Sequence, residues 1–304
     1  MRITIVGADK PIHEQACTHW SGLKSALTRS GWDWSFVSCR YNPNYVNDII
    51  ASKPDVIVYG LIDMMRDTQA RERIREALPN AIICMWYGDL RDERTGQDIN
   101  DLSETVDRFF VSNDGQKDFI KQQFNMTPEF LPLAVDPVDE PVVDDSFKEY
   151  FVFIGAKGFG KAFAQRGAII QHLESNMKLK RIDGNTPEQR AEIYWNMPKI
   201  YGNAQFTLDI SHFWDIEKYV SNRYWVIPGY FGFPLTKRFP GHEELYPETV
   251  RVYWDSIEEL QEKMDFYKKN ESERKKMILA GWKHTKDNHT YDHRLKRLQN
   301  LLHL

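Results

Sequence analysis

The chain has 304 residues, more than one core usually fills, so it is expected to divide into two lobes that each bury their own apolar side chains. Forty Lys and Arg against 44 Asp and Glu leave a net charge of −4, and 41% of the residues are hydrophobic. This removes the strong electrostatic signature of a dedicated nucleic-acid binder, leaving only a local basic face open, and excludes a disordered chain. Three widely spaced cysteines, Cys17, Cys39 and Cys84, suit reduced buried thiols and make neither a disulfide framework nor a zinc ribbon. No apolar stretch reaches membrane-spanning length, so the expectation is a cytoplasmic, soluble protein without integral membrane contact.

The N-terminal run RITIVGA at Arg2 to Ala8 reads as a strand, and Glu14 to Ser30 follows with helical spacing. Further strands are expected at Trp34 to Cys39, Asp55 to Ile62, Ala81 to Gly88 and Val106 to Ser112, with helical patterns between most of them. Their continuous apolar character suits strands buried on both faces, hence a parallel sheet in an α/β fold. FLPLAVDP at Phe130 to Pro137 reads as the last strand of the first lobe, and the acidic, proline-bearing stretch after it as a linker. A second cycle starts with YFVFIGAKGFG at Tyr150 to Gly160 and a helix from Phe163 to Glu174. Strands recur at Leu179 to Asp183, Gln205 to Ser211, Tyr230 to Thr236 and Val250 to Trp254, and helices at Glu258 to Tyr267, Glu271 to His284 and His293 to Leu304. The expected division is a Rossmann-like domain over 1–137, a linker over 138–147 and a second Rossmann-like domain over 148–304. Basic residues collect in the last two helices, which suits a solvated face laced with ion pairs, or, as the minor reading, a phosphate or nucleic-acid surface.

Two segments of the second lobe suit an anionic ligand. The turn from Gly155 to Gly160 carries Lys157, with Lys161 beside it and Arg166 downstream, so flexible backbone and three cations meet near a helix start. It matches neither a P-loop nor the dinucleotide fingerprint, and taken alone it also fits an ordinary turn with exposed lysines. Ser221 and Asn222 are placed to cap a helix whose first amides, with Arg223, suit a diphosphate. Gly241 to Glu244 then supplies Glu243 and Glu244, carboxylates suited to hydroxyl groups or simply the start of the next element. The aromatics Trp195, Tyr201, Phe213, Trp214, Tyr219, Tyr224 and Trp225 include candidates for stacking on a nucleobase, although most suit a core. The scattered histidines of this half show no metal-ligand spacing, so no metal site is expected. In the first lobe, Asp89 follows a strand end where a carboxylate activating an acceptor would face a cleft, and His13 is the competing base, ahead of His19. Each also has an ordinary reading as a cap, turn or structural residue.

The run from Ser221 to Leu304 resembles the C-terminal part of CgeB-like glycosyltransferases, of the two-lobed GT-B class; FLPLAVDP and FVFIGAKGFGKAFAQR are weaker echoes of the same family. The resemblance implies two Rossmann-like domains facing across a cleft. The first would hold the acceptor and the second a nucleotide-sugar, bound through Gly155, Lys157, Lys161, Arg166, Ser221, Asn222, Arg223, Glu243 and Glu244. It implies too that the last helix crosses back to the first lobe. No D-x-D triplet occurs, so a metal-held diphosphate lacks its usual ligands, and cationic side chains are expected to neutralise it without a cofactor. The chain departs from related families, which carry a ribose-binding glutamate a few residues after the Asn-Arg pair, where Val226 and Ile227 stand here. Tyr219 stands near the place of a partner glutamate.

The expected function is therefore metal-independent transfer of a sugar from a nucleotide-diphosphate sugar to an acceptor hydroxyl on a small molecule, glycan, protein or modified DNA base. Alternatives are a nucleotide-sugar epimerase and a non-catalytic binding protein of two lobes.

Overall fold

The computed structural model describes residues 1–7, 19–60, 67–87, 102–158 and 164–303, and the side chains of these except at 19 and 20. The first lobe is a parallel sheet of six strands: β1 (Arg2–Gly7), β2 (Asp33–Ser38), β3 (Val56–Tyr59), β4 (Ile82–Tyr87), β5 (Arg108–Val111) and β6 (Glu129–Phe130), in the order β2-β1-β3-β4-β5-β6. The alternate residues of β1 go to different cores. Ile3 and Ile5 face one apolar cluster and Val6 the other, so both faces of the strand are covered, as its β-branched run requires. Helices α1 (His19–Ser30), α2 (Tyr45–Ser52), α3 (Thr68–Ala77) and α4 (Lys117–Phe124) cover the sheet.

The second sheet holds β7 (Phe151–Ile154), β8 (Leu179–Ile182), β9 (Phe206–Asp209), β10 (Pro234–Lys237) and β11 (Val252–Trp254), all parallel, in the order β11-β10-β9-β7-β8. Its helices are α5 (Ala164–Asn176), α6 (Pro187–Asn203), α7 (Arg223–Gly229), α8 (Ile257–Lys269) and α9 (Glu271–Asn288). The strand order reverses between β7 and β9, the neighbours whose connections leave in opposite directions, and the carboxyl ends there are where ligands of open α/β sheets lie.

The expected strand at Phe130 to Pro137 is a correction. Only Glu129 and Phe130 pair with β5, and Leu131 adds one more bond, from its N–H to Val111 O at 2.8 Å. Pro132 and Pro137 lack the N–H that a ladder needs. The segment is apolar because it is buried between the lobes: Leu131 packs in the first-lobe core and Val135 in the second.

The last helix, α10 (Tyr291–Leu302), belongs by its contacts to the first lobe. Thr290 caps it, its hydroxyl accepting from His293 N while the His293 ring reaches back to Thr290 N. Tyr291, Leu295, Leu298 and Leu302 are buried in one cluster with Leu23, Ala26 and Leu27 of α1; each buried leucine is worth about 1.5–3 kcal/mol. Val135 pairs with Thr290 at the crossing point, and Arg29 of α1 bridges Asp136 and Asp292 at 2.7 Å each. Among the described residues no helix is long and apolar enough to cross a membrane.

Candidate functional site

Two arginines from separate helices converge on the carboxyl ends of β7 and β9. Phe153 of β7 is fully buried, and the guanidinium carbons of Arg166 and Arg223 lie 5.4 and 4.8 Å from its ring centroid. Arg166, on α5, is itself buried and donates through Nη2 to Ala156 O in the glycine turn. Arg223, the first residue of α7, donates through Nη1 to Ile154 O at 3.3 Å and through Nη2 to Ile210 O at 3.0 Å. It thereby ties the ends of the two strands flanking the reversal. Each guanidinium has five N–H donors, so these backbone bonds leave Arg223 with donors to spare; its Nε is buried with no partner among the described residues.

Gly155 allows this convergence. Its φ of +143° is closed to side-chain-bearing residues, and a β-carbon there would stand 3.0 Å from Arg223 Nη1. Its N–H donates to Ile182 O at 2.9 Å, which ties the turn to β8. Lys157, two residues on, is held 2.5 Å from Glu174, which also accepts from Arg181 Nε at 3.1 Å. Burial works against the Glu174 charge, but the hydrogen bonds from Lys157 and Arg181 outweigh it and hold the carboxyl below its ordinary value.

Ser221 and Asn222 do not cap α7 through their side chains, because Asn222 already has helical backbone angles. Ser221 Oγ and Asn222 Oδ1 are instead buried with no partner among the described residues, next in sequence to Arg223. Ser221 N donates to Ser211 Oγ at 3.0 Å, which anchors this end of the helix to the segment after β9. Below, Asp209 and Arg251 form a fully buried pair at 3.1 Å, and Arg251 also donates to Thr236 Oγ1 and to Tyr224 O.

A cavity of about 500 Å³ opens beside Gly155, lined by Ile154, Ile182, Asn185, Arg190, Ile193 and Tyr194, among others. Three of these stand on α6, which the sequence reading did not single out. Its start was signalled by Thr186-Pro187-Glu188-Gln189, a capping box with proline at the first helical position.

Glu243 and Glu244 are exposed and form ion pairs with neighbouring side chains. They lie in a 3-10 turn (His242–Glu244); Glu244 binds Lys218 at 2.7 Å and Glu243 faces His242 Nδ1 at 2.9 Å. His242 Nε2 accepts from Arg238 at 3.0 Å, which leaves its Nδ1 proton to be shared between Glu243 and Phe239 O. Val226 and Ile227 are buried core residues of α7, and Tyr219 is buried as well. Of the candidate stacking rings, Tyr201, Phe213, Tyr224 and Trp225 are core, Trp195 is half exposed on α6, and the cavity takes Tyr194 instead. Asp89, His13 and Lys161 lie outside the described residues, as does the side chain of His19.

Lysines of α9 are laced into ion pairs. Lys275 and Lys276 pair with Glu271 and Glu273, Lys283 with Asp287 and Lys286 with Asp139. Among the described residues no three His, Cys, Asp or Glu side chains are grouped to hold a metal ion.

Residues 171–300, which take in most of the second sheet and its helices, match the family of glycosyl transferase-like proteins. An alpha-glucosyltransferase in complex with UDP and a 13-mer DNA containing a HMU base superposes with a TM-score of 0.70 at 12% identity, covering 100% of both chains. The T4 phage BGT in complex with UDP-glucose gives 0.61 at 12%, over 98% of this chain and 97% of that one. The chain has the two-lobed GT-B fold. A sucrose-phosphate synthase from Thermosynechococcus elongatus has the same fold, at a TM-score of 0.61 and 10% identity over 99% and 98% of the two chains. No curated protein sequence matches this chain. Within this fold, the Phe153 arginines and the cavity stand at the carboxyl edge of the second sheet, on the turn of its first strand.

Proposed function

We propose that the second lobe holds the donor, a nucleotide-diphosphate sugar, with its diphosphate on Arg166, Arg223 and the Gly155 turn and its nucleoside in the cavity beside Gly155. The observation that carries this is the pair of guanidiniums on the Phe153 ring, two fixed positive charges at the point where the strand order reverses. Such charges act on the leaving group. As the sugar departs, negative charge grows on the diphosphate, and donors already in place stabilise it without reorganisation. Arg223 is held by two carbonyls before any ligand arrives, so its placement costs little at the moment of reaction. Neutralisation by guanidiniums supports transfer without a metal ion. Ser221 Oγ and Asn222 Oδ1, buried beside Arg223 with no partner among the described residues, suit hydroxyl and phosphate groups of the same donor.

The first lobe then presents the acceptor hydroxyl across the cleft, with Asp89 or His13 as the base if the transfer inverts. The run from Ser221 to Leu304 supports a CgeB-like branch of the class, and the free thiols Cys39 and Cys84 fit a reducing, cytoplasmic setting. A hydroxylated DNA base is an acceptor favoured by one finding, the likeness to a glucosyltransferase bound to modified DNA; a steep salt dependence of DNA binding would support it.

The test is release of nucleoside diphosphate from a panel of nucleotide-sugars, with water as the slow acceptor. The reading requires turnover of at least one donor, lost in Asp89→Ala or His13→Ala if either is the base. Indifference to every donor tried would remove it.

A further inference from the structure

The segment after β9 has two ends with different duties. Its first residues serve the arginine site: Ile210 O accepts from Arg223 and Ser211 Oγ accepts from Ser221 N. Its later residues grip the other lobe. Asp114 N and Gly115 N, in the turn after β5, donate to Glu217 O at 3.0 and 3.2 Å. The approach is close enough that a β-carbon on Gly115 would stand 2.6 Å from Glu217 N.

Lys218 completes the grip. Its side chain is only 9% exposed, and its ammonium reaches Glu244 at 2.7 Å, Asp114 at 3.1 Å and Glu217 at 3.7 Å. The ring of Phe130, at the end of β6, lies 5.6 Å away. Burial lowers the affinity of this amine for its proton, but the bonds to Glu244 and Asp114 outweigh it, so the group stays charged. A buried ammonium is costly unless it is paired, and here one of the pairing carboxylates belongs to the opposite lobe. The crossing at Val135, Gly229, His289 and Tyr291 joins the lobes through hydrogen bonds and apolar contacts. The Lys218 contact is ionic and depends on a single side chain.

We infer that Lys218 is a positioning residue for sugar transfer: by holding Asp114 it fixes the first lobe against the segment that carries Ile210 and Ser211, and so sets donor against acceptor. This rests on the donor site proposed above. Without Lys218 only the backbone bonds from Asp114 and Gly115 to Glu217 O remain at this contact, so the lobes swing more freely about the crossing near Val135; the donor still binds, and the reacting groups are misaligned.

The experiment uses the full chain, with UDP as the donor-site probe and UDP-glucose as the donor, in Lys218→Met, Asp114→Asn, the double variant and Lys218→Arg. Small-angle scattering of the nucleotide-free proteins is expected to show a larger radius of gyration for Lys218→Met and Asp114→Asn. UDP affinity stays within about twofold, while kcat for UDP-glucose turnover falls at least about tenfold with KM little changed. The double variant is no worse than the singles, as two ends of one contact require, and Lys218→Arg recovers most of the activity. Should Lys218→Met not fold, Asp114→Asn, at the partner in the first lobe, gives the same readouts. If the unaltered protein binds UDP but Lys218→Met neither opens the lobes nor slows turnover, the positioning role is overturned. If the unaltered protein binds neither UDP nor any other nucleoside diphosphate of the donor panel, the donor assignment and this inference fall together.

Discussion

Gly155 and Arg223 are matched in space: the guanidinium of one fills the place where the other would carry a side chain, 3.0 Å from the missing β-carbon. The glycine is thus part of the proposed anion site, although it carries no donor besides its N–H. Gly155→Ala forces an alanine toward φ +143°, a strain of about 1–3 kcal/mol, and pushes Arg223 off the carbonyls of Ile154 and Ile210. UDP affinity in this variant is expected to drop at least about tenfold, or about 1.4 kcal/mol, as read by calorimetry. Unchanged affinity would mean that Arg223 does not work from this position.

The buried pair beneath the site sets the stability of the second lobe. Arg251 and Asp209 are both essentially inaccessible, and Arg251 also supports Thr236 and the Tyr224 carbonyl. Arg251→Met leaves the Asp209 carboxylate uncompensated, at a cost of about 3–5 kcal/mol. Urea unfolding at neutral pH measures it. A loss below about 1 kcal/mol would show that Asp209 takes up a proton instead.

His289 makes stability depend on pH. Burial, and after it the charge of Arg294, push its pKa down from 6.5 to about 3. The folded ring is neutral, with Nε2 donating to Leu245 O at 2.8 Å and Nδ1 facing Arg294 at 3.3 Å. Below pH 6.5 the unfolded chain takes up a proton that the folded chain refuses. This contribution is therefore complete above 6.5 and is lost as pH falls toward 3, with a slope approaching about 1.4 kcal/mol per pH unit. His289→Gln keeps a donor to Leu245 O and is expected to remove that slope between pH 6.5 and 5. Equal slopes in the two proteins would contradict the assignment.

Asp114 is held charged where His289 is held neutral, and its contribution is likewise lost in acid. Burial raises its pKa, but bonds from Lys117 and Lys218 outweigh burial and hold the carboxyl below its ordinary value. The stabilisation it gives is complete above the ordinary carboxylate range and is lost as pH falls through the depressed one. The stability difference between the unaltered protein and Asp114→Asn is thus expected at neutral pH and should vanish under strong acid. A difference that persists there would come from packing and not from charge.

Much of the fold was legible because parallel strands announce themselves as unbroken apolar runs; β1, β4 and β7 all lie inside stretches read as strands. Phe130 to Pro137 misled for the same reason. It is apolar because it passes between two cores, and its prolines should have argued against a ladder. Helix α6 was passed over because its exposed Glu, Arg and Trp blur the helical period, although its capping box stood in plain sequence. At the site, Arg166 and Arg223 were readable as cations near turns. Phe153 was not, since a phenylalanine in a strand reads as core. Lys218 and the fate of Glu244 were out of reach, because the partner that explains them, Asp114, is 104 residues away in the other lobe.

The central claim is that the arginines on Phe153 hold a nucleoside diphosphate, and calorimetric titration of UDP into the unaltered protein, Arg166→Ala and Arg223→Ala tests it most directly. Saturable binding by the unaltered protein, weakened at least about tenfold by each substitution, is the expected result. Binding that survives both substitutions unchanged would place the diphosphate elsewhere and contradict the account.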